Sequence, residues 1–422
     1  MKNVLDILRE RGLVEAITAP TLEQRLREPI VVYAGFDPSS DSLQIGNFVT
    51  IMTLAHFQRQ GHRVLAVAGG ATGMIGDPSG KSAERNFLSA AQVEENLAGI
   101  RENLSRFLDF EHPTAPARIL NNNDWLRKFT VVDFLREAGR HFRMGSMLGR
   151  ESVRARLNSE NGMSYAEFSY QALQAYDFLH LYDACQCQLQ LGGSDQWGNI
   201  TAGIELIRRL RGVETFGLTF PLISDSAGRK FGKSEGNAVF LDARRTSPYA
   251  FYQFFLRVDD ADVDRLLKVF TFLPLEEIET LKEKTAESPE QRLAQRRLAG
   301  DVTRMVHGES GLRQAQTATE ALFGGTLAGL SAGDLGAVFA DAPSATLPAD
   351  TIVNRDVVSV AVAAGLCGGK GAARRLIAGG GLYLNNRRVE NEQAVVSATD
   401  IIDGRMLVLR AGKKNYRLVQ LH

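Results

Sequence analysis

The feature that most constrains this chain is the stretch from Tyr33 to Thr50, Tyr-Ala-Gly-Phe-Asp-Pro-Ser-Ser-Asp-Ser-Leu-Gln-Ile-Gly-Asn-Phe-Val-Thr. Ile30 to Val32 start an apolar run, Asp37-Pro38-Ser39-Ser40 breaks it, and Phe48, Ile51, Met52 and Ala55 then recur at helical spacing. The pattern predicts a buried strand, a loop of small and polar residues, and a helix opening near Gly46. The first N–H groups of a helix have no internal partners and carry partial positive charge, so such a junction can hold a phosphate without a basic side chain. An ordinary strand-loop-helix connection has the same outline, so this stretch alone leaves both readings open.

The segments that follow extend an α/β pattern. Arg63-Val64-Leu65-Ala66-Val67-Ala68 reads as a second buried strand after the helix, completing a βαβ unit. Gly69 to Pro78 then falls at the strand's carboxyl end, where open parallel sheets place ligands, and Asp77 beside Pro78 is a candidate fixed carboxylate. Ser89 to Leu108 keeps helical spacing through Val93, Leu97, Ile100 and Leu104 and reads as a covering helix. Further on, Tyr170, Gln174 and Asp177 fall at i, i+4 and i+7 of one helix and share a face, which without context reads as a solvated one. Gln188 to Leu191 reads as a half-buried strand running into Gly192-Gly193-Ser194-Asp195-Gln196-Trp197-Gly198-Asn199. Two glycines before an acid at a helix start suit a ribose or phosphate, although Asp195 is also a good N-cap. Pro221-Leu222-Ile223 reads as a strand before Arg229-Lys230-Phe231-Gly232-Lys233-Ser234, a basic turn.

At 422 residues the chain has room for two or three domains of roughly 150 residues each. Lys plus Arg and Asp plus Glu both number 49, so a nucleic-acid surface has to come from a local basic region. Asp356 to His422 is that region, with Lys370, Arg374, Arg375, Arg387, Arg388, Arg405, Arg410, Lys413, Lys414 and Arg417 among few acids. Gly325 to Asp350 is rich in Gly, Ala, Ser, Asp and Pro, which predicts a linker. Three cysteines, Cys185, Cys187 and Cys367, form no disulfide framework and no zinc set, so no protein-bound metal is expected. The opening residues make an amphipathic helix without the long apolar core of a signal peptide, and no segment reads as membrane-spanning, which together predict a cytoplasmic protein.

Tyr-x-Gly-Phe-Asp-Pro-Ser followed by Gln44-Ile45-Gly46-Asn47 resembles the ATP-binding signature of class I aminoacyl-tRNA synthetases, in the version carried by bacterial tyrosyl-tRNA synthetases. Lys230-Phe231-Gly232-Lys233-Ser234 resembles their second signature, usually Lys-Met-Ser-Lys-Ser. The family normally has histidine where this chain has Gln44 and Asn47; their NH₂ groups supply similar hydrogen-bond donors. The resemblance implies a Rossmann-like parallel-sheet catalytic domain over 1–245, a helical tRNA-contacting domain over 246–324, a linker over 325–352 and a small α+β RNA-binding domain over 353–422. It assigns the chemistry to Gln44, Asn47, Lys81, Arg85, Lys230, Lys233 and Ser234. Tyr33, Asp77, Tyr170, Gln174, Asp177, Gln190 and Gln196 would hold tyrosine, with Thr72 and Asn122 nearby. Gly35, Asp37, Ser39, Gly46, Thr50, Gly193, Asp195 and Lys233 would hold ATP.

The implied reaction consumes L-tyrosine and ATP, with Mg²⁺ entering alongside ATP, and loads tRNA(Tyr). A homodimer is implied through the insertion near 130–160, where Phe134, Leu135, Phe142 and Met147 face a packing partner, although packing within the domain would use them equally well, and Lys370, Arg374, Arg375, Arg387, Arg388, Lys413 and Lys414 would meet RNA. Two rivals stand beside this reading. A tryptophanyl enzyme shares the fold, although Asp177 opposite Tyr33 suits a phenol; a synthetase-derived RNA-binding protein would have lost activation through its altered tetrapeptide.

Overall fold

The computed structural model describes residues 3–79, 88–158, 162–229, 231–234, 237–321, 325–327, 329–339, 342–412 and 415–422. The chain divides into two compact units, one of Met1–Arg245 with Arg257–Leu298, the other of Thr246–Leu256 with Ala299–His422.

The first unit is built on a six-stranded sheet of β1 (Ala16–Ile17), β2 (Val31–Phe36), β3 (Arg63–Ala68), β4 (Arg118–Asn121), β5 (Cys187–Gly193) and β6 (Phe216–Phe220). Their order is β1-β6-β5-β2-β3-β4, with β1 antiparallel to β6 and the others parallel. Strands covered on both faces read as continuous apolar runs, and β3 and β6 do so. The order reverses between β2 and β5, where Tyr33 lies beside Gln190, so a crevice opens at their carboxyl ends. The Ile45–Arg59 helix follows β2 and is anchored by Phe48, which stacks on Phe270 at 5.2 Å. Tyr165–Cys185 and Trp197–Arg211 cover the sheet near β5; Phe178, Leu181, Leu206 and Ile207 share a core with Tyr33 and Leu65.

Several boundaries differ from the sequence reading. Pro221-Leu222-Ile223 is not a strand: β6 ends at Phe220, because Pro221 has no N–H to continue a ladder. The Thr130 to Ser159 stretch forms short helices, Val131–Glu137, Met144–Leu148 and Glu151–Leu157. Within it Met147 is buried, and Phe134 and Phe142 pack against the core, Phe134 meeting Phe129 edge-on at 5.8 Å. Only Leu135 of the expected apolar face is exposed; the other outward apolar residues of the stretch are Val131 (77%), Val132 (63%), Met144, Leu148 and Leu157, with Tyr165 (72%) just beyond it.

The second unit contains helices and a five-stranded sheet of order β11-β10-β12-β13-β9. Its strands are β9 (Ser344–Leu347), β10 (Leu382–Leu384), β11 (Arg387–Arg388), β12 (Met406–Ala411) and β13 (Asn415–Leu421). The stretch predicted as a linker therefore carries structure: Ala332–Val338 is a helix capped by Ser331, and β9 pairs in parallel with β13. Its small and polar residues hide this because β9 is an edge strand with half its side chains outward. The helical stretch 246–324 is shared between the units, since Arg257–Leu298 belongs to the first.

Candidate active site

The carboxyl ends of β2, β3, β5 and β6 border one cavity of about 630 Å³ in the first unit. Tyr33 and Asp177 line this cavity, and so do Gln44, Gly46, Asn47 and Gly232. The sequence places these residues up to about two hundred positions apart, and the β2/β5 reversal gathers them.

At the inner end Asp177 is 4% exposed. Its Oδ1 accepts from Trp125 Nε1 at 2.7 Å and its Oδ2 from Asn122 Nδ2 at 3.0 Å. Burial pushes its pKa from 3.8 to about 7 against the downward pull of those two donors, and the negative charge of Asp37 adds to the rise. Tyr33 is buried beside it, and its phenol pKa is pushed well above 10, first by burial and then by Asp177. The Tyr33 hydroxyl has no hydrogen-bond partner among the described residues. A buried carboxylate and a buried hydroxyl in one recess are matched to a ligand that both donates and accepts, as a phenol does.

Next to them lies an acidic, amide-rich wall. Tyr170 donates to Asp37 Oδ2 at 2.9 Å, and Thr72 donates to Asp37 Oδ1 at 3.1 Å. Asn122 Nδ2 also reaches Thr72 Oγ1 at 2.9 Å, so one amide ties this group to Asp177. Asp77 accepts from Gln196 Nε2 at 2.6 Å and from the Ser79 N–H at 2.9 Å. Gln174 Nε2 donates to Gln196 Oε1 at 3.2 Å, and Asn199 Nδ2 donates to Gln174 Oε1 at 3.1 Å. Tyr170 has its pKa raised by burial and then by the negative charges of Asp37 and Asp77. Such a wall favours an ammonium group.

The outer end is made of backbone and amides. The Ile45–Arg59 helix points its first turn at the cavity; Gln44 N–H donates to Asn47 Oδ1 at 3.1 Å, which leaves the Asn47 NH₂ available as a donor. Gly35 and Gly46 have nothing within 4 Å of where a Cβ would stand, so both present open backbone. A Cβ at Gly193 would meet Asp195 Oδ1 at 2.8 Å and Leu222 at 2.9 Å. Asp195 lies in a single 3₁₀ turn and lines the cavity; the following helix is capped at Gln196, so Asp195 is not its N-cap. Ser39 and Thr50 complete the lining. Gly232 has φ +96°, a Cβ there would stand 3.0 Å from Ile45, and its carbonyl accepts from Val239 N–H at 2.9 Å.

Of the expected residues, Gln190 differs in position. It is buried in β5 and does not line the cavity; its Oε1 points toward Gly203, where a Cβ would stand 3.5 Å away. Lys81, Arg85 and Lys230 lie outside the described residues, and Lys233 and Ser234 are placed in a short strand, Lys233–Ser234, with their side chains outside the description. Among the described lining residues there are no Lys, Arg or His side chains, while Asp37, Asp77, Asp177 and Asp195 all contribute. Trp125 and Asn199, which hold Asp177 and Gln174, have no signal of their own in the sequence, since a buried partner many residues away leaves no periodicity.

In the second unit Lys370, Arg374, Arg375, Arg387 and Arg388 are all exposed, on the Lys370–Ala378 helix and β11. Lys413 and Lys414 lie outside the described residues. Arg410, counted in the basic region, is instead buried: its guanidinium sits 3.7 Å from the Tyr383 ring centroid and donates to Asn386 Oδ1 at 3.0 Å.

Comparison with known proteins agrees with this geometry. The model of class I tRNA synthetases (W and Y) matches residues 24–324. The chain belongs to that family. The model of the tyrosine–tRNA ligase SYY-like C-terminal domain matches residues 334–419. A tyrosine–tRNA ligase of Protochlamydia amoebophila (strain UWE25) is 49% identical over 422 residues, 100% of this chain and 99% of that one. One from Bacillus caldotenax is 48% identical, covering 99% and 100%. The crystal structure of a C-terminally truncated Aspergillus nidulans mitochondrial tyrosyl-tRNA synthetase superposes with a TM-score of 0.69 at 31% identity, covering 76% of this chain and 95% of that one. Among the described residues no helix is long and apolar enough to cross a membrane.

Proposed function

We propose that this class I synthetase is a tyrosine–tRNA ligase: it joins L-tyrosine to ATP as tyrosyl-adenylate with release of pyrophosphate, then passes tyrosine to the terminal ribose of tRNA(Tyr). The observation that carries the reading is a single cavity lined both by Asp177 and Tyr33 and by the open start of the Ile45–Arg59 helix. Asp177 accepts the substrate's phenolic proton, Tyr33 supplies the second hydrogen bond, and Asp77, Tyr170 and Gln174 receive the α-ammonium. Phenylalanine would leave both buried groups unpaired; for tyrosyl-tRNA synthetases as a class that penalty amounts to discrimination of about 10⁵ against phenylalanine.

The tyrosine carboxylate attacks the α-phosphorus of ATP, and the bond from that phosphorus to the bridging oxygen breaks as pyrophosphate departs with its electron pair. No side chain is a covalent nucleophile. Gln44 and Asn47 donate to phosphate oxygens, Gly46 and Gly193 allow close approach, Asp195 takes the ribose, and Lys230 and Lys233, with Lys81 and Arg85, meet the leaving pyrophosphate. Mg²⁺ arrives with ATP as its counter-ion. The exposed Val131, Val132, Met144 and Tyr165 support a homodimer, which sedimentation at micromolar concentration tests. The exposed arginines of the second unit support tRNA contact there, and the cytoplasm is the expected compartment.

Tyrosine-dependent exchange of labelled pyrophosphate into ATP tests the activation step on which the reading stands. Robust exchange with tyrosine and none with phenylalanine is expected; exchange supported better by tryptophan, or none at all, overturns it.

A further inference from the structure

The loop that delivers Gln44 to the cavity is held by a buried side chain with no place in the chemistry. Asn103, on the Ala90–Leu104 helix, is fully buried. Its Oδ1 accepts from the Leu43 N–H at 2.8 Å and lies 3.1 Å from Ser42 Oγ, whose proton also has Leu43 O within 3.0 Å. Ser42 Oγ in turn accepts from the Asp242 N–H at 3.1 Å. The Asp242 carboxylate is turned away, taken by the Arg244 side chain and by its N–H at 2.8 Å. One amide oxygen thus fixes two chain segments, Ser42-Leu43 and, through Ser42, Asp242.

Those segments are the ones that carry the nucleotide end of the cleft. Leu241 N–H donates to Leu43 O at 2.8 Å, Ile45 N–H donates to Val239 O at 3.0 Å, and Gln44 bridges Phe240. Val239 N–H then donates to Gly232 O at 2.9 Å, inside the lysine-bearing turn. The pairing therefore links the first signature to the second, and Asn103 sets its register from behind. Meanwhile Asn103 Nδ2 is buried with no partner among the described residues. A buried donor left unmatched costs stability, so the amide is not there for packing alone.

We propose that Asn103 is a positioning residue for the triphosphate half of the cleft, acting through Ser42 and Leu43 on Gln44 and on the turn around Gly232. The proposal rests on the adenylate-forming reading above. Asn103→Leu keeps the side-chain volume and removes the acceptor; Asn103→Asp keeps an oxygen in the Oδ1 place. In pyrophosphate exchange Asn103→Leu is expected to raise the ATP KM, lower kcat, or both, by about tenfold or more, with tyrosine Kd within about twofold of the parent. Asn103→Asp is expected to recover most of the loss. An Asn103→Leu protein with parental ATP kinetics, or one whose tyrosine Kd and ATP KM worsen alike, overturns the proposal. Should Asn103→Leu fail to fold, Ser42→Ala decides in its place, with the same split expected and the same two outcomes against it. Absence of exchange in the parent would instead count against the function, so the two failures are distinguishable.

Discussion

Trp125→Phe isolates what holds Asp177, the carboxylate proposed to meet the phenol. The substitution keeps an aromatic ring beside His180, on which Trp125 stacks at 4.5 Å, and deletes the indole N–H that reaches Asp177 Oδ1 at 2.7 Å. A hydrogen bond to a charged group contributes about 1.5–3 kcal/mol, and one pKa unit corresponds to about 1.4 kcal/mol, so losing it raises the Asp177 pKa by about one to two units. From about 7 in the parent it moves to about 8–9 in the variant. In the proposed complex tyrosine donates a phenolic hydrogen bond to the ionised carboxylate, so affinity should follow the ionised fraction and fall as pH drops through the pKa. At pH 7.5 the parent is mostly ionised and the variant mostly protonated, which predicts a tyrosine Kd weaker by about 3- to 25-fold. By pH 9 the gap closes to about twofold or less. Equilibrium dialysis with labelled tyrosine between pH 6 and 9 measures both curves. A parental Kd flat from pH 6 to 8, or a variant curve superimposable on the parent's, refutes the reasoning.

Lys233→Ala is expected to slow adenylate formation by about a hundredfold while changing tyrosine Kd by less than about threefold, because in the proposed reaction its charge is wanted only as pyrophosphate leaves; single-turnover kinetics separate the two. Gly193→Ala puts a Cβ 2.8 Å from Asp195 Oδ1 and should raise the ATP KM by about tenfold with little change for tyrosine, read by initial rates of exchange. Removal of residues from Ser331 onward should spare pyrophosphate exchange and impair tRNA charging, measured by acid-precipitable tyrosine. A cut placed at Asp356 is a worse probe, since it leaves β9 without the strand it pairs with and should lower solubility.

The polar face of one helix is readable in advance because spacing alone puts Tyr170, Gln174 and Asp177 together, and the short motifs around Gly46 and Gly193 mark themselves by glycine and acid placement. What escapes is whatever depends on partners distant in the chain. Trp125 reads as an ordinary core aromatic until Asp177 is brought against its indole. Phe134 and Phe142 are expected to face a partner, but tertiary packing turns them inward against the core. Gln190 alternates like a cavity residue in a half-buried strand, yet β5 is covered on both faces and the alternate side faces a helix. Arg410 counts as surface charge in any composition, but two tyrosine rings enclose it.

The sheet of the second unit has a consequence for how that unit comes into being. β13 is the last of its five strands to be synthesised, yet it lies inside the sheet, hydrogen-bonded to β12 on one side and to β9 on the other. While a ribosome is still holding Asn415–Leu421, Ser344–Leu347 has nothing to zip against and Leu407, Leu409 and Val419 cannot close their core. A nascent chain halted before Asn415 would thus carry a second unit whose β9 and β12 edges stand bare, the kind of exposed strand that pairs with other chains.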